Sequence, residues 1–363
     1  MPPFTKALYL WRKMSKFLNS TAFIDAFDVP GRLLLDARSP KEYNHAHIPG
    51  AINLPLLNDE NREKVGITYK KEGREAAVIK GFELVGPQFA DMIRQVKTLG
   101  DGKELLIYCW RGGMRSGILS WLLGMSGFTV RLLDGGYKSY RNMVLNSLLE
   151  QRKIIILGGK TGSGKSELLN HLHNKGEQIL DLEKLAEHKG SSFGALGQSA
   201  QPSNEHFENL LFNDLRKLNI EKPLWIENES RSIGSVKIPD SLFNQMRDAF
   251  VVEIDVPIDI RKKRILHEYG DFPVEQLKKC TERLEKRLGG LRLQLCLSAL
   301  EEGRMDEWLD YLLEYYDETY AYGMSLRDKL KRTSLELNHS ESFADFAEKL
   351  KDNKPQIVLN NTV

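Results

Sequence analysis

Ile154-Ile155-Ile156-Leu157-Gly158-Gly159-Lys160-Thr161-Gly162-Ser163-Gly164-Lys165-Ser166 decides how the second half of the chain folds. Residues 153–157 are a β-branched and leucine run, the pattern of a strand buried on both faces. Gly159 to Ser166 satisfies G-x4-G-K-[ST] in full, and residues 167–173 continue at helical spacing. Strand, glycine-rich turn and helix in that order are the context a phosphate-binding P-loop requires. Backbone N–H groups around Gly159, Gly162 and Gly164 would cradle a diphosphate. Lys165 would neutralise terminal phosphate charge, and Ser166 would offer a hydroxyl to Mg²⁺. The motif specifies a diphosphate, not the group attached to it.

Downstream, Gln178-Ile179-Leu180-Asp181, Pro223-Leu224-Trp225-Ile226 and Phe250-Val251-Val252-Glu253-Ile254 read as further strands. Residues 274–335, rich in Leu, Glu, Lys and Arg, read as mainly helical. Glu227 stands at a strand end, where a P-loop fold places a metal-associated acid, so Ser166 and Glu227 are the expected Mg²⁺ ligands. Glu229 falls on the same side if the strand continues, because side chains alternate.

Upstream, Arg32-Leu33-Leu34-Leu35-Asp36, Glu104-Leu105-Leu106-Ile107-Tyr108 and Thr129-Val130-Arg131-Leu132-Leu133 are strand patterns interleaved with helical ones. Asp134-Gly135-Gly136 punctuates the last of them, and a helical segment over residues 140–151 joins the halves. The reading is α/β throughout: a parallel-sheet domain over residues 15–145, then a P-loop NTPase-like domain over 146–363 with a mainly helical C-terminal part.

Cys109 follows the strand ending at Tyr108 and opens the loop Trp110-Arg111-Gly112-Gly113-Met114-Arg115-Ser116. Gly112 and Gly113 permit tight curvature, and a helix starting near Arg115 directs its positive end at the sulfur. Arg111 and Arg115 add cationic charge. All three features favour a nucleophilic thiolate. The bland alternative, a small apolar residue at a strand end, leaves the two glycines and two arginines unexplained. It does suit Cys280 and Cys296, whose helical surroundings hold no such loop. Cys-x5-Arg is also the spacing of a tyrosine-phosphatase loop, so phosphate-ester hydrolysis competes at this point.

Flanking segments separate these readings. Leu35-Asp36-Ala37-Arg38-Ser39-Pro40-Lys41-Glu42-Tyr43 and His47-Ile48-Pro49-Gly50-Ala51-Ile52-Asn53-Leu54-Pro55 resemble the two N-terminal signatures of rhodanese domains, and Asp134-Gly135-Gly136-Tyr137 resembles the C-terminal one. The first half is therefore expected to be rhodanese-like, with Cys109 able to carry sulfur or selenium and His47 shaping its turn.

Rhodanese and P-loop halves in this order resemble the bacterial tRNA 2-selenouridine synthases from about residue 20 to residue 350. Three more stretches carry the likeness: Glu60-Asn61-Arg62-Glu63-Lys64-Val65-Gly66-Ile67-Thr68-Tyr69-Lys70, residues 182–194 beginning Leu182-Glu183-Lys184, and Glu227-Asn228-Glu229-Ser230-Arg231-Ser232-Ile233-Gly234. Lys189 stands where that family is expected to have arginine, and Ala46 where rhodanese-like sequences often have glycine. The resemblance implies replacement of sulfur by selenium in wobble 2-thiouridine of tRNA. Selenophosphate and geranyl diphosphate would be co-substrates, and S-geranyl-2-thiouridine the intermediate. It implies that Cys109 handles selenium, with Arg111 and Arg115 binding selenophosphate. It also implies that Gly159, Gly162, Gly164, Lys165 and Ser166 hold the diphosphate of geranyl diphosphate. His188 and Arg231 receive no step. The competing functions are an ATP-dependent kinase-coupled sulfurtransferase and a Cys-x5-Arg phosphatase.

Bulk properties are permissive. The 363 residues are 41% hydrophobic and 28% charged, with a formal net charge of +2, which neither demands nor excludes a nucleic-acid partner. Three scattered cysteines suit a reducing compartment. The apolar run Ala7-Leu8-Tyr9-Leu10-Trp11 is too short for a signal-peptide core, so the expected location is cytoplasmic. Arg283, Lys286, Arg287 and Arg292 are candidates for one basic helical face tracking RNA phosphates, beside the alternative of a solvated ion-paired helix. Trp308, Tyr311, Tyr315, Tyr316, Tyr320 and Tyr322 recur at helical spacing, which favours core packing over base stacking.

Overall fold

The structure, a computed structural model, describes residues 16–100, 103–338 and 341–360, with side chains through residue 353; the run at residues 7–11 lies outside them. The chain forms two compact units, one comprising residues to Ser147 with Glu208–Leu210, the other the remainder. Among the described residues no helix is long and apolar enough to cross a membrane.

The first unit is a five-stranded sheet built from β1 (Lys16–Leu18), β2 (Arg32–Asp36), β3 (Ile52–Asn53), β4 (Glu104–Tyr108) and β5 (Val130–Leu133), in the order β1-β5-β4-β2-β3. Every pairing is parallel. Leu34, Leu35, Leu105, Leu106 and Ile107 are all buried, as strands covered on both faces require. The crossover helices are α1 (Ser20–Phe27), α2 (Pro40–His45), α3 (Asp59–Glu72), α4 (Arg74–Val85), α5 (Phe89–Leu99) and α6 (Met114–Met125), and α7 (Gly136–Ser147) follows the last strand. Helices α3 and α4 meet at Gly73, whose φ of +88° suits glycine.

A buried ion pair ties the three signature stretches together. Arg38 and Asp36 are 1% and 0% exposed, and Arg38 Nη2 donates to Asp36 Oδ2 at 2.6 Å and to the Ala46 carbonyl at 2.7 Å. The guanidinium lies 3.8 Å from the Tyr137 ring centroid. So buried a charge is tolerable only with its donors satisfied and its face stacked. Tyr137 in turn donates its backbone N–H to the Cys109 carbonyl at 2.8 Å. The step before it must be glycine: Gly136 has φ +62°, and a Cβ there would sit 2.3 Å from the Cys109 oxygen.

The second unit is another parallel five-stranded sheet: β6 (Ile154–Gly159), β7 (Gln178–Leu180), β8 (Leu224–Glu227), β11 (Phe250–Asp255) and β12 (Arg332–Glu336), ordered β12-β11-β6-β8-β7. A small antiparallel pair, β9 (Ser232–Ile233) and β10 (Val236–Lys237), lies apart from it. Strand β6 has β8 on one side and β11 on the other, which puts the loop leaving it at the sheet's switch point. Its helices are α8 (Lys165–Asn174), α9 (Leu182–Ala186), α10 (Asn204–Leu215), α11 (Asp240–Asp248), α12 (Ile258–Tyr269), α13 (Val274–Glu282), α14 (Glu285–Leu288), α15 (Gly290–Glu301), α16 (Met305–Ser325) and α17 (Phe343–Asn360).

Two expectations need correction. The helical region ends at Ser325, and residues 332–336 add an edge strand parallel to β11. Arg283, Lys286, Arg287 and Arg292 do not share a helical face: Gly289, at φ +75°, ends α14 and starts a new direction in α15. Arg261 is buried and bonds Asp317 and the Thr161 carbonyl, so it supports the P-loop from behind and presents nothing to solvent. Trp308 and Tyr315 are buried in the helical core, as their spacing predicts, whereas Tyr322 is exposed. Cys280 and Cys296 are core residues whose thiols burial pushes up, the latter to about 11.

Candidate functional site

The P-loop leaves β6 and enters α8 through Gly164, at φ +76°. Lys165 Nζ donates to the Gly159 carbonyl at 3.1 Å, folding back across the loop it serves. Ser166 Oγ donates to Glu183 Oε2 at 3.4 Å. Glu183, Glu227 and Glu229 each bring a carboxylate oxygen within 4.8 Å of the others. Strand β8 stops at Glu227, yet Glu229 reaches the same cluster, as the alternation predicts.

Glu227 is 1% exposed, and its Oε1 has no hydrogen-bond partner. Burial, then repulsion from Glu183, pushes its carboxyl up to about 8, against the pull of Lys165. Burial and the neighbouring carboxylate raise Glu183 and Glu229 as well. Oxygen donors, a spare buried lone pair and an adjacent P-loop hydroxyl are the donor set of a hard divalent cation. Gly190 closes over the cluster, since a Cβ there would lie 2.8 Å from Glu229 Oε2 and 2.9 Å from Glu183 Oε1.

Ser166 and Glu227 thus lie where the sequence places them. Glu183 joins this cluster without a signal in the sequence, since an acid in the first turn after a short strand is too common a pattern to single out. His188 is buried with Nδ1 unbonded, and Arg231 pairs with Asp240.

A cavity of about 1420 Å³ opens over the loop. Its lining combines Gly164, Lys165, Ser166 and the three acids with the apolar and aromatic side chains of Phe193, Trp308, Leu312, Tyr316 and Tyr320, among further charged residues such as Lys189, Arg264 and Arg287. Several of the helical aromatics assigned to core packing are therefore also the wall of this cavity.

In the first unit Cys109 directly follows β4 and is 3% exposed. Gly113 N–H donates to its Sγ at 3.3 Å, and Ser116 Oγ lies 3.2 Å from it. Both partners belong to the turn that starts α6, so the helix N-terminus faces the sulfur as the glycine pattern predicts. The two arginines are placed differently. Arg111 is exposed. Arg115 donates to Glu42 Oε2 at 2.5 Å, and Arg62 approaches the same carboxylate at 3.1 Å. Ser116 had no role from sequence, although a hydroxyl one turn past a loop cysteine is a usable signal. His47 Nδ1 lies 3.0 Å from the Tyr43 carbonyl and its ring stacks on Tyr43 at 3.9 Å, a turn-shaping arrangement.

Residues 21–143 match the family described as rhodanese-like domain, and residues 152–353 match that described as tRNA 2-selenouridine synthase AAA domain. Similar proteins called tRNA 2-selenouridine synthase occur in several bacteria. That of Nitrosomonas europaea is 32% identical over 82% of this chain and 90% of its own length. That of Pseudomonas syringae pv. syringae is 38% identical over 81% and 88% respectively, and that of a Sulfurovum species 35% over 80% and 88%.

Proposed function

The chain belongs to the tRNA 2-selenouridine synthase family, and from that membership we propose that it replaces sulfur by selenium in wobble 2-thiouridine of tRNA, by way of an S-geranyl intermediate. A tRNA substrate puts the reaction in the cytoplasm.

The observation that supports this reading is the cavity over the P-loop, whose lining holds both the phosphate-binding loop and aromatic side chains. A diphosphate on the Lys165 loop would have Phe193, Trp308, Leu312, Tyr316 and Tyr320 of the same cavity available to its organic substituent. Aromatic side chains suit an isoprenoid, since a ring face stabilises positive charge developing on an allylic carbon. The thiocarbonyl sulfur attacks that carbon and the carbon–oxygen bond breaks. The diphosphate departs with the electron pair onto the loop N–H groups and Lys165, and the base loses its N3 proton. Ser166, Glu183, Glu227 and Glu229 would hold Mg²⁺, which when bound supplies further charge neutralisation to the leaving diphosphate.

Geranylation turns the thiocarbonyl sulfur into a thioether that can leave as a thiol. Selenium then attacks C2 of the base. Selenophosphate carries selenium at the level of selenide and so does the product, so the exchange requires no oxidant. Cys109, held by Gly113 N–H and Ser116, attacks the phosphorus of selenophosphate; the phosphorus–selenium bond breaks with its pair on selenium, which is released as selenide to attack C2, and water then hydrolyses the cysteinyl phosphoryl group to orthophosphate.

The test is mass spectrometry of nucleosides from 2-thiouridine tRNA incubated with the protein and geranyl diphosphate, then with selenophosphate. S-geranyl-2-thiouridine followed by 2-selenouridine is the expected sequence. Unchanged 2-thiouridine with folded protein, accompanied by ATP hydrolysis, would replace this reading with a kinase-coupled sulfurtransferase.

A further inference from the structure

A second cavity, of about 330 Å³, lies within the first unit and is lined by Leu56, Val78, Phe82, Val85, Met114 and Ile118 among others. We propose that it receives the prenyl chain of the S-prenylated tRNA base during the selenium step. This rests on the geranylation reading above and adds a subsite to it, distinct from the wall over the P-loop.

Three observations carry the assignment. The first is size: the volume is at the small end of the range for ligand pockets, suited to a ten-carbon chain. The second is continuity with the sulfur. Met114, Arg115 and Ile118 line the cavity from the first turns of α6, the helix whose start supplies both hydrogen-bond partners of Cys109. The cavity thus follows the same helix whose first turn adjoins the sulfur, and a chain lying in it would extend from that helix start.

The third is the lip. The α3–α4 hairpin leaves Tyr69 59% exposed and Phe82 46% exposed, both lining the cavity, with Ile67 and Ile79 nearby in sequence and also exposed. A closed core would have buried these side chains, so this is an apolar mouth open to a ligand.

The step balances without an added oxidant. A C2–selenium bond forms and the C2–sulfur bond breaks, its pair staying on sulfur, which takes a proton and leaves as the prenyl thiol. Water takes the phosphoryl group of selenophosphate as orthophosphate, and selenium stays at the selenide level. The pocket holds the departing chain, orienting C2 for attack and giving the thiol an apolar place to go.

The experiment uses the full chain, selenophosphate, and anticodon stem-loop RNAs whose wobble 2-thiouridine carries an S-methyl or an S-geranyl group. Wild type should convert the geranyl RNA over the methyl RNA by a factor on the order of 100, given the apolar surface gained. Val78→Trp, which fills the cavity, and Phe82→Glu, which charges its mouth at an exposed position, should each reduce that preference to within about threefold. Because the readout is a ratio on one preparation, partial unfolding cancels; if Val78→Trp loses both rates, Phe82→Glu decides. A preference untouched in the folded variants overturns the pocket and leaves the geranylation reading standing. Wild type that ignores S-geranyl RNA, or exchanges selenium into 2-thiouridine RNA without geranyl diphosphate, overturns the reading and the pocket together.

Discussion

Ser116 Oγ lies 3.2 Å from Cys109 Sγ and also donates to the Gly113 carbonyl at 3.2 Å, so one hydroxyl joins the sulfur to the loop that encloses it. Ser116→Ala removes that link and leaves the Gly113 N–H contact. A single hydrogen bond of this kind contributes about 1 kcal/mol, so selenation should slow roughly fivefold to tenfold while geranylation is unaltered. Nucleoside mass spectrometry under single-turnover conditions measures both rates. An unchanged selenation rate would remove Ser116 from the mechanism.

Glu42 and Arg115 make a pH-dependent contribution to stability. Burial works against ionisation of Glu42, but the Arg115 hydrogen bond and charge outweigh it and hold the carboxyl below its ordinary value. The folded value lies below the unfolded one. The stabilisation is therefore complete above the ordinary carboxylate range and is lost as pH falls through the depressed value. Glu42→Gln should lower Tm at neutral pH by an amount equivalent to roughly 1 kcal/mol. Its melting curves should draw toward those of wild type as pH falls below the ordinary carboxylate range and converge once it passes the depressed value of Glu42. Parallel curves across that range would contradict the ion pair.

How far this architecture could be read from the chain depended on how local each signal is. The P-loop, the cysteine loop and the central strands are contiguous runs whose chemistry and periodicity sit side by side, and all of them appear where expected. What escaped is long-range. Arg115 finds Glu42 across 73 residues, and no spacing within the loop announces that its arginine is already paired. Residues 332–336 form a short edge strand in which only Leu335 is apolar, with neither β-branched enrichment nor clean alternation, and only pairing to β11 makes it a strand. Helical spacing puts the basic residues near 283–292 on one face only if the helix runs through Gly289-Gly290, and the chain changes direction there.

Gly136→Ala tests the junction between the ion-paired core and the cysteine loop. The new Cβ would meet the Cys109 carbonyl at 2.3 Å and the Gly112 nitrogen at 2.4 Å, on a backbone at φ +62°. These are backbone atoms that cannot swing aside. A loss of at least about 2 kcal/mol in unfolding free energy is expected, together with selenation slowed more than geranylation. Denaturant titration measures the first. Full stability in this variant would mean the loop relaxes more freely than its packing allows.

Glu227→Gln tests the cation site. Titration calorimetry with inorganic diphosphate should show Mg²⁺ strengthening binding to wild type by about tenfold or more, through charge neutralisation at the cluster beside Ser166. The amide retains shape but removes the charge and the lone pair left unpaired in the buried carboxylate. The Mg²⁺ effect should shrink to within about twofold, with metal-free diphosphate binding unchanged or improved. A Mg²⁺ effect that survives would move the cation elsewhere.

Lys165→Ala and Cys109→Ser divide the reaction between the two units. Lys165 is the cationic side chain of the P-loop, so its loss should reduce geranylation by at least about a hundredfold. Selenation of ordinary 2-thiouridine tRNA should fall with it. The same variant should still convert tRNA that already carries the S-geranyl group, because Cys109 and its helix start are intact. Cys109→Ser should do the reverse, accumulating S-geranyl-2-thiouridine and forming no 2-selenouridine. Mixing the two variants should then restore 2-selenouridine, provided the geranylated tRNA can leave one protein and bind another. If each variant, shown by its melting curve to be folded, loses both activities on both substrates, the chemistry is not divided between the P-loop and the cysteine loop.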